Sequence, residues 1–365
     1  MSLIRKLFPQ RFDKFWKKID QSKFSNELVK ITNSFLNSKS YRSVSNQWHV
    51  YNISHYRSLL KNSTKKLGTE VFNHYFNFFE PKDEYLLTLN KFYDKKIFSK
   101  NKKKLQKKHS NLDLKKSLSY NKLLLLLFLY LKKTKYITYL SKLRDKTFLK
   151  FGNPFIKIEN VNITSDKIIS LFDLEKIEQF HNIKKKNFKI LEIGAGSGRL
   201  ADCILSIRKN IKYTICDIPP AIFISFKRLK NAFPKKKIKI LINIEQEEQL
   251  LKELEKNDIC FIFPHQLEKI NKYFFNLVLA VDCFHEMDKK TLKYYFSNLT
   301  KISNRVYFSI WKKTKNWYSG SLFKKTERLD FDKGDYPIPK NWKNTFKKSQ
   351  IFPSNYYALG YKILK

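Results

Sequence analysis

Three of the eight glycines in this 365-residue chain fall within five positions, at Gly194, Gly196 and Gly198. The apolar run 188–193 before them predicts a buried strand, and residues 199–207 after them predict a helix. Glycine is needed where the backbone takes a positive φ, or where a ligand approaches too closely for a Cβ atom. The cluster therefore predicts a nucleotide-binding turn between the first strand and the first helix of a doubly wound α/β sheet.

The spacing of these glycines leaves two ligand classes open. Counted from Gly194, a dinucleotide fingerprint would require glycine where Arg199 stands, whereas counted from Gly196 its looser form fits and ends at Ala201. No Lys-Ser/Thr pair follows to make a phosphate-binding P-loop. The full pattern, E-x-G-x-G-x-G from Glu192, resembles motif I of class I S-adenosylmethionine (SAM) methyltransferases, and this resemblance implies SAM as the cofactor. The contacts that it implies in the turn are Glu192, Gly194, Ala195, Gly196 and Gly198.

A second acidic residue stands at the end of the next predicted strand, 212–217. Doubly wound folds place a carboxylate there because it can accept hydrogen bonds from ribose hydroxyls. An isolated Asp217 would more simply cap a helix, but its place nineteen residues after Gly198 favours the ribose role. We therefore expect Asp217 and the adjacent Ile218 to contact the cofactor.

Strands alternate with helices from residue 188 onward, which predicts a parallel sheet and an α/β, Rossmann-like fold. The predicted strands are 188–193, 212–217, 258–263, 276–283 and 305–310. A further candidate at 237–243 competes with 258–263 for the third position, and we prefer 258–263. Segments near Phe352 and over 355–364 would supply the closing antiparallel strands that are typical of methyltransferases.

The first 150 residues are predicted to form a mostly helical region, rich in aromatic side chains. A turn at 151–154 is predicted to separate this region from a methyltransferase domain over 151–365. The apolar run 123–131 is too short for a bilayer, which requires ~20 residues, and therefore predicts a buried helix or at most a surface anchor. The amino terminus lacks the continuous apolar stretch of a signal peptide.

The segments that follow the third and fourth strands are candidates for chemistry, because ligands of an open α/β sheet bind beyond the carboxyl ends of its strands. His265 and Gln266 follow the third strand and are predicted to lie beside the adenine. Asp282 ends the fourth strand and is predicted to contact the cofactor. His285 and Glu286 come next, where a methyl donor would meet its acceptor. Removing a proton from an alcohol suits either side chain, so both are candidate catalytic bases, although either could instead be structural.

Four segments together resemble the sugar O-methyltransferases of bacterial glycan and surface-polysaccharide gene clusters. They are residues 190–201, 213–223, 261–267 and 283–287. The similarity extends upstream and covers about residues 150–365. It implies transfer of a methyl group from SAM to a hydroxyl of a sugar or glycan precursor, with the N-terminal region as an acceptor-binding part or lid. The family usually carries Gln where His285 stands, which shifts the role of base toward Glu286.

The net charge of +42 is built almost entirely from lysine, since 64 of the 74 basic residues are Lys and only 10 are Arg. Arginine is the preferred bidentate reader of bases and phosphates, so its scarcity predicts no specific nucleic-acid partner. A positive field of this size still attracts anionic groups at low salt. Two alternatives therefore stay open. One is methylation of RNA or another anionic acceptor, and the other is peripheral membrane contact through the Lys-rich N-terminal region.

The four cysteines stand singly, without the C-x-x-C spacing of a zinc site and without a secreted disulfide framework. They predict reduced core residues in a cytoplasmic protein. The sequence indicates no metal-ligand set, and it leaves open an auxiliary divalent metal, the oligomeric state and a non-catalytic role for a SAM-type fold.

Overall fold

The computed structural model describes residues 12–38, 44–62, 83–109, 113–148, 154–312 and 329–364. Within them lie ten strands: β1 Ile156–Ile158, β2 Val161–Ile163, β3 Phe188–Ile193, β4 Ile211–Cys216, β5 Ile238–Ile240, β6 Ile259–Ile262, β7 Leu277–Val281, β8 Arg305–Trp311, β9 Trp342–Ser349 and β10 Tyr356–Ile363. Strands β1 and β2 form a small antiparallel pair, and the other eight form one sheet.

The helices of the N-terminal part begin with a short one over 12–18. They continue as α1 Asn26–Asn37, α2 Asn46–Asn62, α3 Asp83–Leu89, α4 Lys95–Leu105, α5 Leu114–Lys132 and α6 Asp145–Phe148. The helices interleaved with the sheet are α7 Ser165–Phe180, α8 Arg199–Ile207, α9 Ala221–Ala232, α10 Glu247–Lys256 and α11 Lys289–Ile302. Five 3-10 helices complete the described elements: Gln21–Lys23, Asn90–Phe92, Lys135–Lys142, Pro264–Lys269 and Phe284–Glu286.

The strands of the large sheet lie in the order β5-β6-β4-β3-β7-β8-β10-β9. All pairs from β5 to β8 are parallel, and β10 is antiparallel to both β8 and β9. The order reverses between β3 and β7, which is the switch point where doubly wound sheets bind ligands. The predicted α/β, Rossmann-like fold is confirmed.

Two details of the sheet refine the sequence prediction. Strand β6 pairs directly with β4, so the preference for 258–263 at the third position is confirmed, and β5 adds an outer edge strand. The closing strand predicted near Phe352 lies earlier in the chain, as β9, and Phe352 itself lies in the turn after it. Most of the β9 side chains point to solvent and several are lysines, so this edge strand has no apolar run to reveal it.

Both faces of the sheet are covered by helices, and alternate strand residues face opposite ways. Leu191 and Ile193 belong to the core on one face, together with residues of α10 and α11. Phe188 and Ile190 belong to the core on the other face, with residues of α7, α8 and α9. Burial on both faces explains why the parallel strands are apolar throughout rather than alternating.

The N-terminal helices share this second core with the sheet. Helix α5 contains the predicted buried run 123–131, which is confirmed as helical and almost wholly buried. Helix α1 reaches the carboxyl end of β6, where the ring of Phe35 packs edge-on against Phe263 with 5.4 Å between ring centroids. Lys227 of α9 forms an ion pair with Glu27 of α1 at 2.5 Å. The N-terminal helices are thus docked on the sheet and extend to the edge where its ligands would bind.

Some predictions concern features that remain partly outside the described residues. The proposed turn at 151–154 lies mostly there, so the domain boundary stays a prediction. Among the described helices, none combines the length and apolarity needed to cross a membrane. All four cysteines are buried and free, as the sequence predicted.

Candidate cofactor pocket and active site

The glycine turn between β3 and α8 has a backbone that other residues would adopt only with strain. The φ angles of Gly194, Gly196 and Gly198 are +67°, +55° and +71°. A Cβ atom on Gly194 would collide with the sulfur of Cys283, and one on Gly198 would lie 3.0 Å from the Cβ of Ser225. Glycine is therefore required here both by the left-handed conformation and by close packing.

Asp217 connects the end of β4 to this turn. One oxygen of its carboxylate accepts a hydrogen bond from the backbone N–H of Gly196 at 2.9 Å, and the other accepts one from Ile218 at 2.8 Å. Burial raises the pKa of Asp217 to about 7, although both hydrogen bonds act to lower it. The carboxyl group is thus fixed beside the glycine turn, where the sequence predicted it.

Asp282 follows β7 and is held by a buried arginine. Its φ of +56° is left-handed, which a non-glycine residue adopts only when its surroundings impose it. Arg199 of α8 donates to Asp282 at 3.3 Å and to Asp173 of α7 at 2.7 Å. Ser309 of β8 donates to the other oxygen of Asp282 at 3.2 Å. Three elements therefore fix Asp282 at the switch point.

Glu286 lies in the 3-10 helix Phe284–Glu286 after β7 and meets a residue from the N-terminal region. The indole N–H of Trp48, on α2, donates a hydrogen bond to one carboxylate oxygen of Glu286 at 3.0 Å. Burial raises the pKa of Glu286 to about 8, with a further increase from the negative charge of Asp282 and a decrease from the Trp48 hydrogen bond. Glu286 is thus a carboxyl group that changes its charge near neutral pH.

These residues surround one cavity with an empty volume of about 500 Å³. Its lining residues are Val44, Ser45, Trp48, Ile193, Gly194, Gly196, Cys216, Asp217, Ile218, Asp282, Cys283, Glu286, Met287 and Tyr295. Three of these side chains are carboxyl groups, and among the described residues no Lys, Arg or His side chain lines the cavity. The wall of this cavity is acidic and apolar.

Glu192 and Ala195 belong to the motif but do not line the cavity. Glu192 is 3% exposed and accepts a hydrogen bond from the hydroxyl of Tyr213 at 2.8 Å. Burial raises its pKa to about 7. Its contacts support the turn from within the core, so a direct role with the cofactor stays a prediction.

Gln266, which was predicted to lie beside the adenine, has a side chain that makes internal hydrogen bonds. The residue is fully buried, its amide oxygen accepts from the N–H of Phe263, and its amide nitrogen donates to the carbonyls of Leu241 and Ile244. These bonds tie the loop after β6 to the loop after β5, and a contact of Gln266 with the adenine stays a prediction. His265 is also absent from the described cavity lining, and burial lowers its pKa.

His285 and Glu286 are adjacent, but only Glu286 lines the described part of the cavity. The ring of His285 stacks on Trp311 with 4.0 Å between centroids, and Tyr356 packs edge-on against it. Burial lowers the pKa of His285 to about 3, so the ring is neutral and weakly basic at physiological pH. The helix after them is capped by neither residue, since Asp288 accepts from the N–H of Thr291 at 2.8 Å.

Sequence reasoning missed two residues that shape the site. Trp48 lies 238 positions before Glu286, and no local pattern links the two. Arg228 of α9 is fully buried and donates to Asp202 at 3.1 Å and to Ser197 in the glycine turn at 3.3 Å. Arginine is rare in this chain, so each arginine was a candidate for a specific role. This signal could have drawn attention to Arg199 and Arg228, which both lie next to the turn.

The order of the strands identifies the kind of sheet. Six parallel strands in a doubly wound order are followed by two antiparallel strands, and the last of these, β10, inserts between β8 and β9. The chain has a Rossmann-like fold with closing antiparallel strands, as the resemblance to class I methyltransferases implied. In this fold the cavity lies at the switch point, where a ligand is expected.

Comparison with known proteins adds little to the fold assignment. Neither protein-family models nor curated proteins gave a match. Among solved structures, the pyocyanin biosynthetic protein PhzM has a TM-score of 0.35 at 10% identity, covering 80% of this chain and 76% of that chain. A SAM-dependent methyltransferase from Aquifex aeolicus has a TM-score of 0.33 at 13% identity, covering 54% and 92%. Structural similarity at this level does not support an inference about this chain. The fold assignment is therefore based on the strand order.

Proposed function

We propose that the chain is a SAM-dependent O-methyltransferase that acts on a hydroxyl of a sugar or glycan precursor. The observation that carries the cofactor assignment is the charge of the cavity wall. Asp217, Asp282 and Glu286 line it without any cationic side chain among the described residues. SAM carries a positive sulfonium and an ammonium group and no phosphate, whereas a dinucleotide carries a negatively charged pyrophosphate. An acidic wall attracts the first and repels the second.

The residues present fit SAM in their chemistry. The glycine turn allows close approach of a ligand to the backbone, and Asp217 is placed to accept hydrogen bonds from ribose hydroxyls. Asp282 supplies negative charge on the side of β7, and Glu286 adds to it when it ionises, since its pKa is about 8. In the described part of the chain, no group of three or more His, Cys, Asp and Glu side chains is arranged to hold a metal ion.

Glu286 is the residue that we assign to proton removal. Bound SAM supplies a methyl group that is already activated by its attachment to sulfur. The enzyme therefore has to align the acceptor hydroxyl and take up its proton. Glu286 can do so because its pKa of about 8 lies close to the working pH. Neutral His285, with a pKa of about 3, is a much weaker base.

The acceptor class rests on the resemblance of four sequence segments to the sugar O-methyltransferases. The N-terminal helices, which place Val44, Ser45 and Trp48 in the cavity wall, agree with a lid or acceptor-binding role for that region. The large positive charge leaves RNA or another anionic acceptor as the competing possibility.

The test has a binding step and an activity step. Calorimetry with SAM and with NAD should show binding of SAM only, and tighter binding of NAD would contradict the cofactor assignment. Labelled SAM should then be offered with nucleotide-sugars, polysaccharide fragments and RNA, with and without Mg²⁺. Label transfer to a saccharide supports the proposal, whereas transfer to RNA and to no saccharide would overturn the acceptor class.

A further inference from the structure

Trp48, on α2 of the N-terminal region, makes a hydrogen bond to the candidate base. Its indole N–H donates to Glu286 at 3.0 Å, across 238 positions of sequence. Val44 and Ser45, just before the same helix, also line the cavity. The wall of the pocket is therefore built partly by a segment that is remote from the methyltransferase sheet.

We propose that Trp48 is a positioning residue, by which the N-terminal region holds the Glu286 carboxyl in the cofactor cavity and favours its charged form. The proposal builds on the proposed function, because it concerns the group to which we assign proton removal. A bond from a neutral donor to a carboxylate stabilises the ionised form of the acid more than the protonated form. Docking of residues 44–48 on the sheet would therefore complete the site chemically as well as sterically.

The other groups around Glu286 do not supply this bond. Asp282 is negatively charged and raises the pKa of Glu286, so it opposes ionisation. Cys283 and Tyr295 line the same cavity, but burial raises the pKa of each well above its ordinary value, and both stay neutral. Asp217 is held by two backbone N–H groups at the end of β4. Of the contacts that described residues make with the Glu286 carboxyl, the Trp48 hydrogen bond is the one that favours its charge.

The decisive variant is Trp48→Phe, which keeps an aromatic ring and removes the N–H. A matched control is Trp16→Phe, because Trp16 also donates its indole N–H, to Asn33 at 2.7 Å, but within the N-terminal helices. Glutamate carboxyl groups labelled with ¹³C can be followed by NMR across pH 5–10 in ligand-free protein, and Glu286→Gln identifies the Glu286 resonance. This titration needs neither cofactor nor acceptor.

Trp48→Phe should raise the titration midpoint of Glu286 by about one pH unit, since a hydrogen bond to a charged group has that order of strength. Trp16→Phe should leave the midpoint unchanged. An unchanged midpoint in folded Trp48→Phe protein would overturn the proposal, as would an equal shift in the Trp16→Phe control.

Calorimetry of the same proteins with SAM separates this inference from the proposed function. Wild-type protein that fails to bind SAM contradicts the function, whatever the titration of Glu286 shows. If SAM binds, its affinity should rise with pH as Glu286 ionises, and the rise should occur about one pH unit later in Trp48→Phe. The titration of SAM itself is the same in both experiments. If SAM affinity depends on pH in the same way for the wild type and for Trp48→Phe, the role of Trp48 is contradicted.

Discussion

The wall of the cavity and the surface of the rest of the chain have opposite charge. The whole chain carries a net charge of +42, yet the described cavity lining contains three carboxyl groups and no cationic side chain. Exposed lysines cost little, because water solvates them, whereas a charge in a buried wall must be compensated by a partner or a ligand. The composition of the whole chain is therefore a poor guide to the charge of its ligand, and the side chains of the cavity wall are a better one.

The largest effect is expected from the candidate base. Glu286→Gln should lower methyl-transfer turnover ~10²–10⁴-fold with little change in SAM affinity at pH 7, because Glu286 is already mostly protonated there. Wild-type turnover should rise with pH through about 8, as the base loses its proton, and the variant should lose this dependence. His285→Gln, beside it but stacked on Trp311, should have the smaller effect. Wild-type turnover in folded Glu286→Gln protein would show that alignment alone suffices.

A slightly smaller loss is expected from the backbone of the glycine turn. Gly196→Val places a β-branched residue at a φ of +55°, which should distort the turn and weaken SAM binding by ~100-fold or more. Gly334→Val is the matched control, since Gly334 has a φ of +74° and its Cβ would meet nothing within 4 Å. Both variants place valine at a positive φ and so have the same backbone strain. Calorimetry should show a loss of SAM affinity only for Gly196→Val. Normal SAM affinity in a folded Gly196→Val protein would mean that the site lies elsewhere.

An intermediate effect tests the acidic wall directly. Asp217→Asn removes the charge and turns one of the two oxygens that accept from Gly196 and Ile218 into a donor, and should weaken SAM binding by ~10–100-fold. Asp258→Asn is a suitable control, because Asp258 also accepts a backbone hydrogen bond, from Lys237 at 2.8 Å, but is not in the described cavity lining. Equal affinities for the two variants would remove the ribose-binding role from Asp217.

The smallest effect is expected at the lysine-rich surface. Replacing the three exposed lysines Lys102, Lys103 and Lys104 by Gln should change SAM affinity by less than about twofold at 0.15 M salt, where the screening length is ~8 Å. They lie in the last turn of α4 and are not in the cavity lining. A larger change in calorimetry would show that the surface field reaches the cavity, and would weaken the contrast between the two regions.

Residues close together in sequence were predictable because their structure is local. The glycine turn, the acid after β4 and the strand–helix alternation each follow from spacing and from the apolar pattern, and the structure contains all three. The position of β9 was not predictable in this way, because an exposed edge strand is not under the burial that creates an apolar pattern.

The role of a polar side chain depended instead on which way it points and what lies opposite. Gln266 follows a strand at the edge of the sheet where ligands are expected. Its side-chain amide nevertheless makes hydrogen bonds to three backbone groups of nearby loops. Likewise, His285 and Glu286 are adjacent in sequence, but one stacks on Trp311 and the other reaches Trp48. Position after a strand predicts the neighbourhood of a residue but not its partner.

The sequence by itself determined the fold class, the place of the glycine turn and the acid beside it, because short-range spacing and burial decide these. The tertiary structure alone decided that Trp48 reaches Glu286 and that three carboxyl groups meet in a wall without cations. Those contacts join segments up to 238 positions apart, and only the packing of helices on the sheet brings them within hydrogen-bonding distance.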